Sequence, residues 1–264
     1  MNTIPTIFLL CLGAAAVAAV GFLIVHRLVK IDLDQHQNFL DAMLSIVGTL
    51  VSILLGLLVA AALDHYHTLE QNVDNEASNV SEIFRLTFGL PLESRNHIRA
   101  LCGQYCLEVV NQEWPMMAQG QSSDKVFIVY AKLMTEIVGF KPNDNGETNV
   151  HSAMINAIQQ VGDCRRARLL ALQSTWTKQL MPMLLMCSGI VLTFAFLYVK
   201  RGAILHGVLI CLVAVALGGN IGLVFLLGNP FSGDWKIQPL GFIYNIKLLE
   251  RARTEPELKK MLLQ

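Results

Sequence analysis

Four long apolar runs, Ile4 to Val25, Ala42 to Leu63, Leu180 to Val199 and Ala203 to Leu227, constrain this chain more than any other feature. Each holds about the 20 residues that an α-helix needs to cross the hydrocarbon core of a bilayer. None contains Asp, Glu, Lys or Arg, and the nearest charges, Arg27, Lys30, Asp41, Asp64, Lys200 and Arg201, stand at the edges, where spans end. The chain is expected to be an all-α integral membrane protein with four transmembrane helices.

With 53% hydrophobic and 15% charged residues, the chain is too apolar for an ordinary soluble domain and too mixed to be membrane throughout. Its formal net charge is zero and its Lys and Arg residues are scattered, which argues against nucleic-acid binding. The first run lacks a basic leader, since Met1 to Pro5 carry no Lys or Arg, and it is too long for a signal h-region, so it reads as a retained span. The cysteines divide between membrane (Cys11, Cys187, Cys211) and intervening segment (Cys102, Cys106, Cys164), a spacing of neither a disulfide framework nor a zinc ribbon.

The expected organisation is two spans in residues 1–63, a helical extramembrane domain in 64–179, two further spans in 180–227, and an interfacial turn with an amphipathic helix in 228–264. Leu69, Val73, Ala77, Val80 and Phe84 recur at helical spacing, with Glu70, Asp74, Glu76 and Glu82 placed elsewhere on the wheel, so the second span should continue beyond the bilayer until Gly89 and Pro91 stop it. A helix from Glu93 to Glu113 should present Ile98, Leu101, Tyr105 and Val109 on one face and end at Trp114-Pro115. A third should start at Ser123 or Asp124, either of which can cap it, and show Val126, Tyr130, Leu133 and Ile137. A fourth is expected to run from about Thr148 into the third span, bent near Pro182. After the fourth span, Phe231 and Trp235 suit headgroup depth, and Leu240 to Leu263 reads as an exposed amphipathic helix restarted around Thr254-Glu255-Pro256.

In the second span Gly48, Ser52, Gly56 and Ala60 repeat every four residues, a ridge on which another helix can approach closely. Packing within one subunit is favoured over pore lining, although Ser45, Thr49 and Ser52 add hydroxyls compatible with a narrow wet path. In the fourth span Gly218 and Gly222 form a close-packing pair, and Asn220 places an amide in the bilayer, where a hydrogen bond between helices is preferred to ion coordination. Asp64 and His67 lie one turn apart at the membrane edge with His65 and Glu70 nearby, and read as a solvated cluster or a pH-sensitive pore mouth before a metal site. Cys102 and Cys106, one turn apart, read as core rather than as metal ligands with His97 or His151. No Ser/His/Asp arrangement, phosphate loop or carboxylate pair stands in a catalytic context, so no enzyme, cofactor or metal is expected, and Glu113 reads as a helix end.

Several short motifs, in order along the spans, resemble the bestrophin-like family of bacterial membrane proteins. They are Gly48 and Gly56 of the second span, Asn72-Val73-Asp74-Asn75-Glu76-Ala77-Ser78, Glu113-Trp114-Pro115, Arg165-Arg166-Ala167-Arg168-Leu169 and Asn229-Pro230-Phe231-Ser232-Gly233. The resemblance implies distant kinship to bestrophins, ring-shaped homo-oligomeric anion channels whose pore is lined by the second span, and it implies residence in a bacterial inner membrane. The acidic calcium clasp of animal bestrophins has no counterpart here, and the aromatic ring of their pore neck finds no match in the second span.

The first functional reading is therefore a homo-oligomeric channel in contact with membrane lipid. The alternative is a non-conducting structural or signalling protein whose helical domain binds an unidentified protein partner. Basic residues Arg165, Arg166, Arg168 and Lys178 before the third span favour both termini in the cytoplasm, against the Lys/Arg-free N-terminus.

Overall fold

The structure, a computed structural model, describes residues 3–28, 37–173, 176–197, 203–233 and 235–254. In chain order the helices are α1 (Thr3–Leu28), α2 (Gln37–Leu86), α3 (Leu92–Glu108), α4 (Trp114–Met117), α5 (Asp124–Gly139), α6 (Asn145–Leu172), α7 (Trp176–Leu197), α8 (Ala203–Leu227) and α9 (Leu240–Thr254). Among the described residues there is no strand, and four helices, α1, α2, α7 and α8, are long and apolar enough to cross a membrane. The chain is an all-α integral membrane protein. Its contacts divide it into two compact units, one of residues 1–66 with 175–236 and one of residues 67–174 with 237–264.

In the membrane unit α1 packs along α8 through Ala18, Phe22, Ile210 and Ala214. α2 contributes Val51, Leu55 and Ala62 to a second cluster with Leu184 and Cys187 of α7 and Leu217, Val224 and Leu227 of α8. Gly218 permits the α1–α8 approach, because a Cβ there would stand 2.9 Å from the Ala14 Cβ and 3.5 Å from the Cys11 Cα. α8 ends in the Asn229 motif: the Asn229 side chain donates to the Phe225 carbonyl at 2.8 Å, and the Gly233 φ of 83° turns the chain. Phe231 is buried in the unit, whereas Trp235 is half exposed and its carbonyl accepts the Tyr66 hydroxyl at 2.9 Å.

The extramembrane unit has its own core. α2 supplies Leu69, Val73, Ala77, Val80 and Ile83; α3 supplies Ile98, Leu101 and Tyr105; α5 supplies Val126, Leu133 and Ile137; α6 supplies Met154, Ile158 and Val161. Phe84, expected in that core, yields its place to Ile83 and lies under the Arg99 guanidinium, 4.8 Å from its ring centre. α2 is followed by a 3-10 turn over Thr87–Gly89, and Arg95 donates to the carbonyls of this turn and of the residue after it, Phe88 O at 3.3 Å and Leu90 O at 3.2 Å. A cation at a helix C-terminus also complements the dipole.

Several expected boundaries moved. Trp114-Pro115 does not end the second extramembrane helix: a π-turn over Val109–Glu113 carries the chain into α4. Ser123 occupies the cap position of α5, but neither its side chain nor any other makes a capping bond there. α6 starts earlier than expected because Asp144 caps it, accepting from Glu147 N at 2.7 Å while the Glu147 carboxylate accepts from Asn143 N at 2.7 Å. α6 then stops at Leu172 rather than running into the third span, since Gln173 leaves helical geometry and bonds back to Leu170 O. α9 is not an exposed helix: Phe242 is fully buried, and a Cβ on Gly241 would stand 2.7 Å from the Ala77 Cβ. The restart expected at Pro256 lies outside the described residues.

Gly218→Ala is expected to destabilise the protein by about 1–3 kcal/mol through overpacking against Ala14. Gly219→Ala, whose added Cβ meets nothing within 4 Å, should change little. Thermal unfolding of both variants in the same detergent checks this, and equal behaviour would refute the close α1–α8 approach.

Candidate functional site

The membrane half of α2 presents three different faces. Val51, Leu55, Leu58 and Ala62 turn into the unit's core. Ile46, Leu50, Ile53 and Leu57 form a large apolar face that the chain leaves exposed, as lipid requires. Ser45, Thr49, Ser52 and Gly56, spaced by four, three and four residues, form a third face that is small, hydroxyl-bearing and also exposed. Ser45 donates to Asp41 O at 2.8 Å and Thr49 to Ser45 O at 2.7 Å, so these hydroxyls are satisfied along their own helix while their oxygens remain able to accept.

Among the described residues nothing fills the packing ridge at Gly48 and Gly56. A Cβ on Gly48 or Gly56 would meet nothing within 4 Å, and Ala60 is exposed. In α8, Gly218 faces α1 closely and Gly222 is buried, but among the described residues the Asn220 amide bonds within its own helix instead of between helices, donating to Ala216 O at 2.9 Å, one turn back. At the membrane edge Asp64 is exposed, and His67 lies 3.4 Å from Glu70. The residues weighed as thiol partners are engaged elsewhere: His97 faces Glu136 at 3.3 Å and His151 meets Ile137 O at 2.9 Å.

The most heavily partnered constellation is one that reasoning from the sequence missed. Arg168, fully buried on α6, donates through Nε and Nη2 to Glu76 of α2 at 2.8 Å each, and through Nη2 to Glu113 at 2.8 Å. Arg165, one turn earlier, donates to the Glu113 carboxylate at 2.5 and 3.3 Å and to Ser123 O at 3.3 Å. Tyr105 of α3 donates its hydroxyl to Glu76 at 2.7 Å, and the Arg168 guanidinium lies 5.2 Å above the Trp114 ring. Two carboxylates thus meet two guanidiniums, and the formal charges cancel.

Electrostatics follow from that enclosure. Burial alone would raise the Glu113 carboxyl, but the Arg168 and Arg165 guanidiniums outweigh it and hold the group below the ordinary carboxylate value. Burial alone would likewise lower Arg168, and the Glu76 and Glu113 carboxylates override it, so the guanidinium stays charged. Tyr105 is driven up by burial and then by the Glu76 charge, which keeps its hydroxyl a donor. With its carboxylates and guanidiniums buried and paired to one another, the constellation is built as a clamp. A signal was present in the sequence: Glu76 keeps register with Leu69, Val73, Val80 and Ile83, and Arg165 and Arg168 keep register with Ile158 and Val161. Glu76 was expected off the apolar face and Glu113 at a helix end; both are fully buried.

Breaking the clamp on one side should be costly. Glu113→Gln leaves Arg165 and part of Arg168 without their carboxylate and is expected to cost roughly 3–5 kcal/mol. Because the folded Glu113 value lies below its ordinary 4.5, its stabilisation is present above that value and is lost as pH falls through the lowered one. Acid unfolding of the native protein should therefore steepen below pH 4.5, and the slope should be shallower in Glu113→Gln. Identical acid profiles would remove Glu113 from the clamp.

The sequence matches the profile of the bestrophin-like domain over residues 12–242. No curated protein matches it significantly. Among solved structures, a serine-to-alanine variant of a membrane protein aligns with a TM-score of 0.64 at 12% identity, covering 96% of this chain and 99% of that one. A tyrosine-to-alanine variant of a bacterial bestrophin homologue from Klebsiella pneumoniae aligns with a TM-score of 0.59 at 12% identity, covering 98% of each chain. A leucine-to-threonine variant of a Klebsiella pneumoniae bestrophin homologue gives 0.60 at 13% identity, over 96% of this chain and 99% of that one. With four spans, a helical extramembrane unit and a profile match over most of its length, the chain belongs to the bestrophin-like family.

Proposed function

We propose that the protein is a homo-oligomeric ion channel in which the small face of α2 lines the conducting path. The observation that carries this reading is that face itself: Ser45, Thr49, Ser52 and Gly56 are exposed among the described residues and are poor partners for lipid beside the apolar Ile46–Leu57 face. Several α2 helices around an axis would bring these faces together, each offering hydroxyl oxygens to a passing ion and its water. Rings this small and uncharged suit low selectivity, and anions are the ions that kinship with bestrophins suggests. Asp64 and His67 would then stand at the mouth, with both termini in the cytoplasm.

Oligomerisation has support outside the membrane as well. In the extramembrane unit Phe127 and Val138, three turns apart on α5, are 57% and 52% exposed, so that helix carries apolar side chains that a partner subunit could cover. A second reading, a non-conducting oligomer, draws on the hydroxyl bonds within α2, since satisfied hydroxyls suit a dry helix–helix contact equally well.

Ion flux in proteoliposomes, combined with cysteine labelling, separates the two. After Cys11, Cys187 and Cys211 are replaced, Thr49→Cys and Ser52→Cys should react with a water-soluble thiol reagent and change the current, whereas Leu50→Cys on the lipid face should not. No labelling and no flux across pH and voltage would leave the dry oligomer. Gly56→Leu should preserve the folded subunit, because the added side chain finds open space in the chain, yet reduce oligomer mass or current. Unchanged mass and unchanged current would place Gly56 against lipid.

A further inference from the structure

A cleft of about 140 Å³ opens between α2, α3 and α9, in the extramembrane unit and apart from the charge clamp. Its apolar walls are Val80, Phe84, Leu248 and Leu249, closed by Cys102 and Cys106. An enclosed, wholly apolar cavity of about 150 Å³ stays dry and admits benzene. This cleft has that size but is partly open and carries Ser81, Arg85, Tyr244 and Asn245 beside its apolar walls. Size alone does not set the ligand; the state of the polar atoms does.

Ser81 and Asn245 are already engaged, and the Tyr244 side chain stands exposed at the rim. Ser81 donates to the Asn245 carbonyl oxygen at 2.6 Å, and the Asn245 amide donates to Ala77 O at 2.8 Å. Arg85, at the rim, donates to Glu82 through Nε at 3.2 Å and Nη2 at 2.5 Å, so its charge is met by a neighbour on its own helix. Burial drives both thiols up, Cys106 to about 12, which leaves them neutral and makes them small apolar walls rather than nucleophiles or metal ligands. Past the exposed Tyr244 and Arg85 at the rim, a charged or strongly polar ligand would lose its hydration and find Ser81 and Asn245 already bonded, whereas an apolar one loses nothing of the kind.

We propose that this cleft binds a small uncharged apolar molecule of roughly one aromatic ring in size. Such a ligand touches α2, α3 and α9 together, so occupancy fastens α9 to the extramembrane half of α2. The site stands whether or not the protein conducts.

The test uses the full chain in lipid nanodiscs with methyl-labelled Val and Leu, titrated with fluorobenzene. The methyl signals of Val80, Leu248 and Leu249 should shift and saturate at roughly millimolar probe. Cys102→Met, which grows a side chain into the space, should weaken binding about tenfold or more. Leu249→Ala should enlarge the cleft and admit a naphthalene-sized probe that the native protein excludes. Shifts that rise linearly without saturating, as partition into lipid would give, would overturn the proposal, as would saturation unaffected by both substitutions. Benzoate binding as tightly as fluorobenzene would overturn the assigned ligand class.

Discussion

Arg168 carries a full charge in a place no water reaches, and the extramembrane unit is arranged around meeting it. Glu76 comes from α2, Glu113 from the π-turn, and Arg165 from the preceding turn of α6. Burying four charges costs desolvation that their attraction only roughly offsets, so the clamp adds less to stability than its bond list suggests. Its larger effect is selective. Any slip of α6 against α2 or the π-turn strands a guanidinium or a carboxylate without a partner, which costs several kcal/mol. One register satisfies all four groups, and the apolar residues beside them pack in that register.

α2 has to serve two solvents within one helix, and its sequence changes character where it does so. Up to Ala62 it is apolar on two faces and small on the third; from Leu69 onward it buries a single stripe and exposes the rest. The first pattern suits lipid, neighbouring spans and one face for a further partner, while the second suits a soluble core. Beyond its far end the chain is tied down by Thr87, whose hydroxyl donates to Phe84 O, and by Arg95, which donates to the Phe88 and Leu90 carbonyls of the turn that follows.

The spans were legible because the bilayer imposes a length and a composition that nothing else in the chain mimics. The extramembrane helices were legible because their apolar residues keep helical spacing. What escaped was polar residues inside that spacing. Glu76 was assigned to the outer wheel because carboxylates usually face water, and its partner lies 92 residues away, beyond the reach of any local pattern. The docking of α9 was hidden for the same reason, since it depends on Gly241 meeting Ala77 across the fold. The ridge at Gly48 and Gly56 was readable as a surface, but a single chain holds nothing to set against it.

Glu113-Trp114-Pro115 shows how a stop signal becomes a junction. Pro115 has no N–H to donate and its ring crowds the preceding turn, which ordinarily ends a helix. Here the turn widens instead: Trp114 N bonds five residues back to Val109 O, making room for the ring and directing Glu113 inward. Trp114 then stacks on Arg168 and donates its indole N–H to Ile237 O at 3.2 Å, so three consecutive residues tie α3, α6 and the segment leading to α9. The motifs at Glu76, Glu113 and Arg165–Arg168 that first suggested the family are therefore motifs of the clamp. Kinship carried by a clamp transfers architecture, and structures only 12–13% identical do the same. The proposed conduction therefore takes its support from the small exposed face of α2 and not from the clamp.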